Sequence, residues 1–253
     1  MKKIGIVGGV GWRSTVDYYS EICCRSEDLH FAANDQGAPY IPEISIESLN
    51  LSTAISYLGN ENDEESWCQF DEYHRKALER LEASGAEVAL IASNTPHHRF
   101  REIVRGIRMP VVNIFEAAAR ESVRTGAHHV LILGTALTMA SARLRDEFAR
   151  VRVHAAGPAD ESARTATTAL IAELQRGRFE GAASRLGAIA RDSIERQFPG
   201  DAAVCLACTE LPLAFSESKT RSVFAYDGLS YINTTAVHVN AVIRLAAQDS
   251  RTS

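Results

Sequence analysis

The chain is expected to fold as an α/β protein built from two similar units with mostly parallel sheets. Three observations predict this. Short apolar, β-branched runs alternate with longer amphipathic stretches, the mark of strand-helix-strand units. Glycine turns follow two of the runs, at Gly8-Gly9-Val10-Gly11 and at Gly134-Thr135. Finally, Gly85 stands as far before Ser93 as Gly200 does before Cys208, so two strand ends carry a reactive-type residue at the same spacing. This repeat organises the chain into a first unit of 1–115 with 216–253 and a second of 116–215.

In chain order, a strand over 3–7 enters Gly8-Gly9-Val10-Gly11-Trp12-Arg13-Ser14-Thr15 and then a helix over 15–27. A glycine turn before a helix leaves backbone N–H groups free to bind a carboxylate or phosphate. The spacing is neither a dinucleotide fingerprint nor a Walker loop, so no nucleotide cofactor is expected. After a loop at 34–37, residues 41–46 read as a strand. Residues 60–65 form an acidic turn, and 67–83 an amphipathic helix with Phe70, Tyr73, Ala77, Leu78 and Leu81 on its apolar face. A central strand over 87–92 ends in Ser93-Asn94-Thr95, where Pro96 stops the pattern. A helix over 98–106, a short strand over 109–114 and a helix over 115–125 capped by Gly126 complete the first pass.

The second pass restates the first. Residues 129–135 repeat the opening strand and glycine turn; a helix over 141–150, a strand over 151–155, a loop at 157–160 and two helices reaching 197 lead to the Cys208 strand. A last helix over 234–245 carries His238 and closes the first unit with its apolar face. Asp227, in Tyr226-Asp227-Gly228, reads as a turn and helix cap.

Composition narrows the function. With 45% apolar and 23% charged residues and a net charge of −5, the chain is an ordinary globular protein without the clustered Lys and Arg of a nucleic-acid binder. No apolar run approaches the roughly 18 residues of a membrane span, and Met1-Lys2-Lys3 leads into a strand rather than a signal peptide, so the cytoplasm is the expected compartment. The five cysteines, Cys23, Cys24, Cys68, Cys205 and Cys208, are an odd number and form no disulfide framework. His97 and His98 lack a third ligand at sensible spacing, so no metal is expected. They are expected at the surface, with His97 a candidate to orient Ser93 or Glu210. His128 and His129 are expected to do nothing chemical.

Together, Gly8-Gly9-Val10-Gly11-Trp12-Arg13-Ser14-Thr15, Ser93-Asn94-Thr95, Leu133-Gly134-Thr135 with Thr138-Met139, and Cys208-Thr209-Glu210-Leu211 resemble the successive motifs of the aspartate/glutamate racemase family, the cofactor-independent amino-acid racemases. The resemblance implies two α/β domains related by a pseudo-two-fold, an active site in the cleft between them, one acid/base residue from each side, no cofactor and a homodimer. Ser93 departs from the pattern: most members carry cysteine there, and a branch carries a hydroxyl residue. Arg13 stands where similar sequences often have Glu. No arginine occupies the 45–51 loop, where some relatives hold a side-chain carboxylate.

Taking the α-proton of an amino acid without pyridoxal phosphate requires a strong base on one face and an acid on the other. A thiol near pKa 8.5 can be tuned toward neutrality in a small polar site, which makes Cys208 the leading candidate. Cys205 falls on the other side of the strand and reads as core. The Ser93 hydroxyl is too weak an acid to act alone; it either works with an adjacent base or merely binds substrate. Asn94, Thr95 and Thr209 offer donors to an α-carboxylate that becomes an enediolate, as do Thr135 and Thr138 at the second glycine turn. Val10, in the first turn, belongs to the same expected substrate-binding set. In Asp160-Glu161-Ser162-Ala163-Arg164, the resemblance puts a cation at Arg164, suited to gripping a carboxylate; Arg13 is a second candidate anchor.

The expected activity is a racemase or epimerase of an acidic or polar amino acid, with a small-molecule carboxylate or amino acid as substrate. A decarboxylase of a malonate-type acid, protonating its product from Cys208, also fits a single cysteine. So does a ligand-binding protein without catalysis. A hydrolase fits least, because Ser93 lacks the Gly-x-Ser-x-Gly elbow.

Overall fold

The computed structural model describes residues 1–33, 40–60, 63–215 and 220–248. The expected loop at 34–37 lies outside them, as do two residues of the acidic turn. Contacts divide the chain into two units, Met1–Asn113 with Val239–Ser253, and Ile114–His238.

The first unit begins β1 (Ile4–Gly8), α1 (Trp12–Ala33), β2 (Ile44–Ser48) and α2 (Leu51–Ser56). The helix starts before Thr15 because that residue closes the turn: Gly9 N donates to its hydroxyl at 2.9 Å, the hydroxyl reaches Gly11 O at 3.1 Å, and Thr15 N bonds Gly11 O at 3.0 Å. A 3-10 helix, Glu64–Trp67, capped by Asp63, leads into α3 (Cys68–Ala83), whose buried face runs Phe70, Asp71, His74, Ala77, Leu78 and Leu81 and packs on β1 and β2. Next come β3 (Val88–Ile91), a 3-10 helix over Thr95–Arg99, α4 (Phe100–Ile103) and β4 (Val111–Val112). β4 is shorter than expected: Pro110 has no N–H to donate, although its carbonyl accepts from Ala89 N at 2.9 Å. The sheet runs β2-β1-β3-β4, all parallel.

The second unit contains α5 (Ile114–Ser122), β5 (His129–Gly134), α6 (Ala136–Ala140), α7 (Ala142–Arg150), β6 (His154–Ala156), α8 (Glu161–Gln175), α9 (Ala182–Gln197), β7 (Ala202–Ala207), β8 (Val223–Tyr226) and β9 (Leu229–Asn233), then the start of α10 (Thr234–Ala247). Its sheet runs β6-β5-β7-β9-β8, parallel except for the β8–β9 hairpin. Alternating side chains of β5 and β7 build two cores. Leu131, Leu133, Val204 and Leu206 join α8 and α9 on one face; Val130, Ile132, Ala203 and Cys205 join α5 and α7 on the other.

Two expectations near the C-terminal end require correction. Residues 220–238 belong with the second unit, because β9 pairs with β7 and carries β8 on its edge. Asp227 caps no helix: with φ 51° it forms the hairpin turn with Gly228, φ 78°, and pairs with Arg191. From Val239 onward, α10 packs Val239, Val242, Ile243 and Ala246 against Ile4, Ile6, Val88 and Leu90 of the first unit. Among the described residues no helix is long and apolar enough to cross a membrane.

The topologies repeat. In each sheet the first strand lies between the second and third, so β2-β1-β3-β4 corresponds to β6-β5-β7-β9, with β8 the addition.

Candidate active site

Parallel α/β units gather ligand groups at the carboxyl ends of their strands, and both reactive-type residues lie there. In the first unit, Val7 pairs with Ile91 and Ala92 N donates to Val7 O at 2.8 Å, which brings the Ser93 turn beside the glycine turn. Gly9 takes φ 84°, and a Cβ there would collide with the Leu49 backbone. Val10 and Ser93 are half-buried, Thr95 likewise, and Asn94 is buried at the start of the 3-10 helix Thr95–Arg99. The sequence candidates Val10, Ser93, Asn94 and Thr95 thus lie on neighbouring turns at the carboxyl end of one sheet.

The expectation of surface histidines is overturned. His97 is 1% and His98 8% exposed. The His97 ring stacks on Phe100, with Nε2 3.4 Å from Ile91 O, so it faces the β3 backbone. Arg99, at the end of the same 3-10 helix, pairs with Asp71 of α3 through Nε at 3.1 Å and Nη2 at 2.8 Å, with Glu64 on Nη1 and Trp67 beneath. Arg99 and Asp71 are both buried, and their charge-assisted bonds hold the guanidinium well above its ordinary pKa. This clamp ties the segment after Ser93 to α3. Nothing at the sequence level joined residues 71 and 99.

In the second unit, Gly134 pairs with Ala207, and a Cβ on Gly134 would stand 2.6 Å from Ala207 O. That close approach sets the Thr135 turn beside the Cys208 turn. Thr135 caps α6, accepting from Thr138 N at 3.3 Å, and its hydroxyl lies 2.9 Å from Thr138 Oγ1. Thr138 is fully buried, so its reach is to Thr135. Cys208 follows the last residue of β7, 6% exposed; its Sγ donates to Glu210 Oε2 at 3.0 Å, and Thr209 Oγ1 donates to the same oxygen at 3.2 Å. Burial first, and the Glu210 charge second, push the Cys208 thiol well above its ordinary range. The expected tuning toward neutrality is therefore reversed, because burial disfavours the thiolate and the near neighbour is an anion rather than a cation. Cys205 is fully buried in the core, and burial pushes its thiol up to about 12.

Arg164 lies in the first turn of α8. Its Nε donates to Pro158 O at 2.6 Å, Glu161 is 3.6 Å from Nη1, and 44% of its side chain is exposed. It lines a cleft of about 580 Å³ between α6 and α8, with Ala136, Ala140 and Thr168. Arg13, half-buried, lies over the Trp12 ring at 4.4 Å. Among the described residues no three His, Cys, Asp or Glu side chains form a metal-binding group.

A family model described as Asp/Glu/Hydantoin racemase matches residues 7–242. An aspartate racemase homologue from Pyrococcus horikoshii OT3 has a similar structure, with TM-score 0.74 and 26% identity, over 98% of this chain and 100% of that one. Aspartate racemase from Picrophilus torridus matches with TM-score 0.71 and 20% identity over 97% and 94% of the two chains. Glutamate racemase from Campylobacter jejuni subsp. jejuni gives 0.62 and 16% over 99% and 88%. The last two, at such identities, speak for the fold.

Proposed function

The chain belongs to the Asp/Glu/Hydantoin racemase family of isomerases, and from that premise we propose that it racemises or epimerises an acidic or polar amino acid without a cofactor, Cys208 and Ser93 exchanging protons with the α-carbon. The observation that carries this reading is the buried Cys208 thiol at the end of β7, hydrogen-bonded to a carboxylate in a turn that repeats the position of Ser93 after β3. Thr209, Asn94, Thr95 and the Val10 and Thr135 turns supply donors for the substrate carboxylate, whose charge grows toward the enediolate; Thr138 braces Thr135. Arg164 binds a carboxylate from the α8 side. The active protein is a homodimer.

A second reading, decarboxylation of a malonate-type acid, is favoured by one observation: Cys208 Sγ stands as a hydrogen-bond donor to Glu210 Oε2, and a thiol is the form that donates a proton. One experiment separates the two. In deuterated water, the enantiomer whose α-hydrogen is served by Cys208 should exchange faster than it inverts, since Ser93 acts only with help. Cys208→Ser should abolish exchange and turnover together. Ser93→Cys should keep the fold and raise two-way racemisation. A Ser93→Cys protein inert toward every amino acid, beside a wild type releasing CO2 from a malonate-type acid, decides for the decarboxylase.

A further inference from the structure

An ion pair lies buried at the far end of the segment that carries Ser93. The 3-10 helix Thr95–Arg99 begins two residues beyond Ser93, has Pro96 in its first turn and ends on Arg99. Proline fixes its own φ, and a 3-10 helix rises about 2 Å per residue, so Ser93 and the Arg99 backbone stand at opposite ends of a stiff arm roughly 10 Å long. Asp71 of α3 grips the guanidinium in a fork. Nε donates to Oδ1 at 3.1 Å and to Oδ2 at 3.2 Å, Nη2 donates to Oδ2 at 2.8 Å, and Nη1 binds Glu64. The side chains of Arg99 and Asp71 are each 8% exposed.

Burial makes the use of a charged pair informative. Apolar side chains of similar volume serve stability as well as a desolvated ion pair does. The surroundings would suit them, with the Trp67 ring 5.6 Å from Arg99 Cζ and Phe70 packed edge-on against Trp67. What the fork adds is direction, because a bidentate contact fixes the plane of the guanidinium as well as its distance. α3 packs on β1 and β2, so the fork ties the Ser93 segment to the sheet that carries the glycine turn. Such precision matters to a group that transfers a proton, since a misplacement of about 1 Å costs roughly 10²-fold in rate.

Resting on the reading of Ser93 as a proton-transfer group, we propose that Arg99 is its positioning residue: held by Asp71, it sets the angle at which the Thr95–Arg99 helix presents the Ser93 hydroxyl to the substrate. Arg99 acts through Ser93, so its effect falls on one half of the reaction. Removal and return of a proton by Cys208 do not depend on the clamp; proton transfer at the other face of the α-carbon does.

The test replaces the pair with apolar side chains, Arg99→Met together with Asp71→Leu, and starts in deuterated water from the enantiomer served by Cys208. Exchange with retention and inversion are measured separately, beside the denaturant midpoint. The double variant should be as stable as the wild type, exchange within about twofold of it, and invert roughly 10- to 100-fold more slowly. Arg99→Lys keeps the charge without the fork; it should lose inversion in the same selective way and by a smaller factor, and it carries the comparison if the double variant does not fold. Exchange and inversion that fall by one common factor report lost folded protein and overturn the proposal, as does inversion at the wild-type rate. If Ser93→Ala inverts substrate as fast as the wild type, Ser93 leaves the chemistry, and amide hydrogen exchange over residues 93–99 decides the clamp. Faster exchange there in the double variant keeps the clamp as the holder of this segment; equal exchange removes it.

Discussion

Arg164 shows how a residue's surroundings set the size of its effect. A desolvated carboxylate-guanidinium pair is worth roughly 2 to 5 kcal/mol, but with 44% of its side chain exposed and Nε already on Pro158 O, Arg164 would meet the proposed substrate carboxylate partly in water. We expect Arg164→Ala to cost about 1 to 2 kcal/mol, roughly 5- to 30-fold in KM with kcat little changed. An unchanged KM for a true substrate removes Arg164 from the site. Its position could be read from the sequence; its hydration could not. Cys208 was legible in the same way, as a cysteine at a strand end. Its hydrogen bond to Glu210 was not, because whether neighbours at i and i+2 converge depends on a turn whose geometry only the packed chain decides.

α3 is the element that most rewards attention to burial. His74 on its inner face is fully buried and packed at a tilt against the Phe70 ring; Nδ1 donates to Phe70 O at 2.8 Å, and Nε2 has no hydrogen-bond partner among the described residues. Desolvation lowers its pKa from 6.5 to about 4. The unfolded chain therefore binds a proton below about pH 6.5 that the folded chain refuses until about pH 4, so stability falls as pH falls through that window. The loss attributable to His74 is about 3 kcal/mol. Denaturant unfolding from pH 7 to 4 should show that loss in the wild type and a correspondingly smaller one in His74→Phe; equal losses would refute the assignment. The amphipathic spacing announced α3, but not that a histidine would sit on its dry face. Asp227-Gly228 between two short apolar runs reads from the sequence as a turn, and the β8–β9 hairpin turns there; only the helix cap expected with it is absent.

At the scale of the molecule, the repeated strand order was foreshadowed by Gly8 and Gly134: a side chain would strike Thr15 at the first and the Ala207 backbone at the second, so each strand ends in a glycine. The proposed homodimer belongs to this scale too. Trp12, Val16 and Tyr19 follow one another along α1 at helical spacing and are 62%, 57% and 47% exposed, an apolar stripe suited to an isologous contact. Sedimentation should give twice the chain mass, and Val16→Glu should halve it; a wild-type protein at the single-chain mass sinks the proposal. The course of α10 bears on how the chain is made. Its last turns supply Val239, Val242, Ile243 and Ala246 to the core around β1, whereas every strand of the second sheet is complete by Asn233. A ribosome therefore releases the whole second sheet before the helix that seals the first, and the half of the protein that is synthesised earliest is the last able to finish folding.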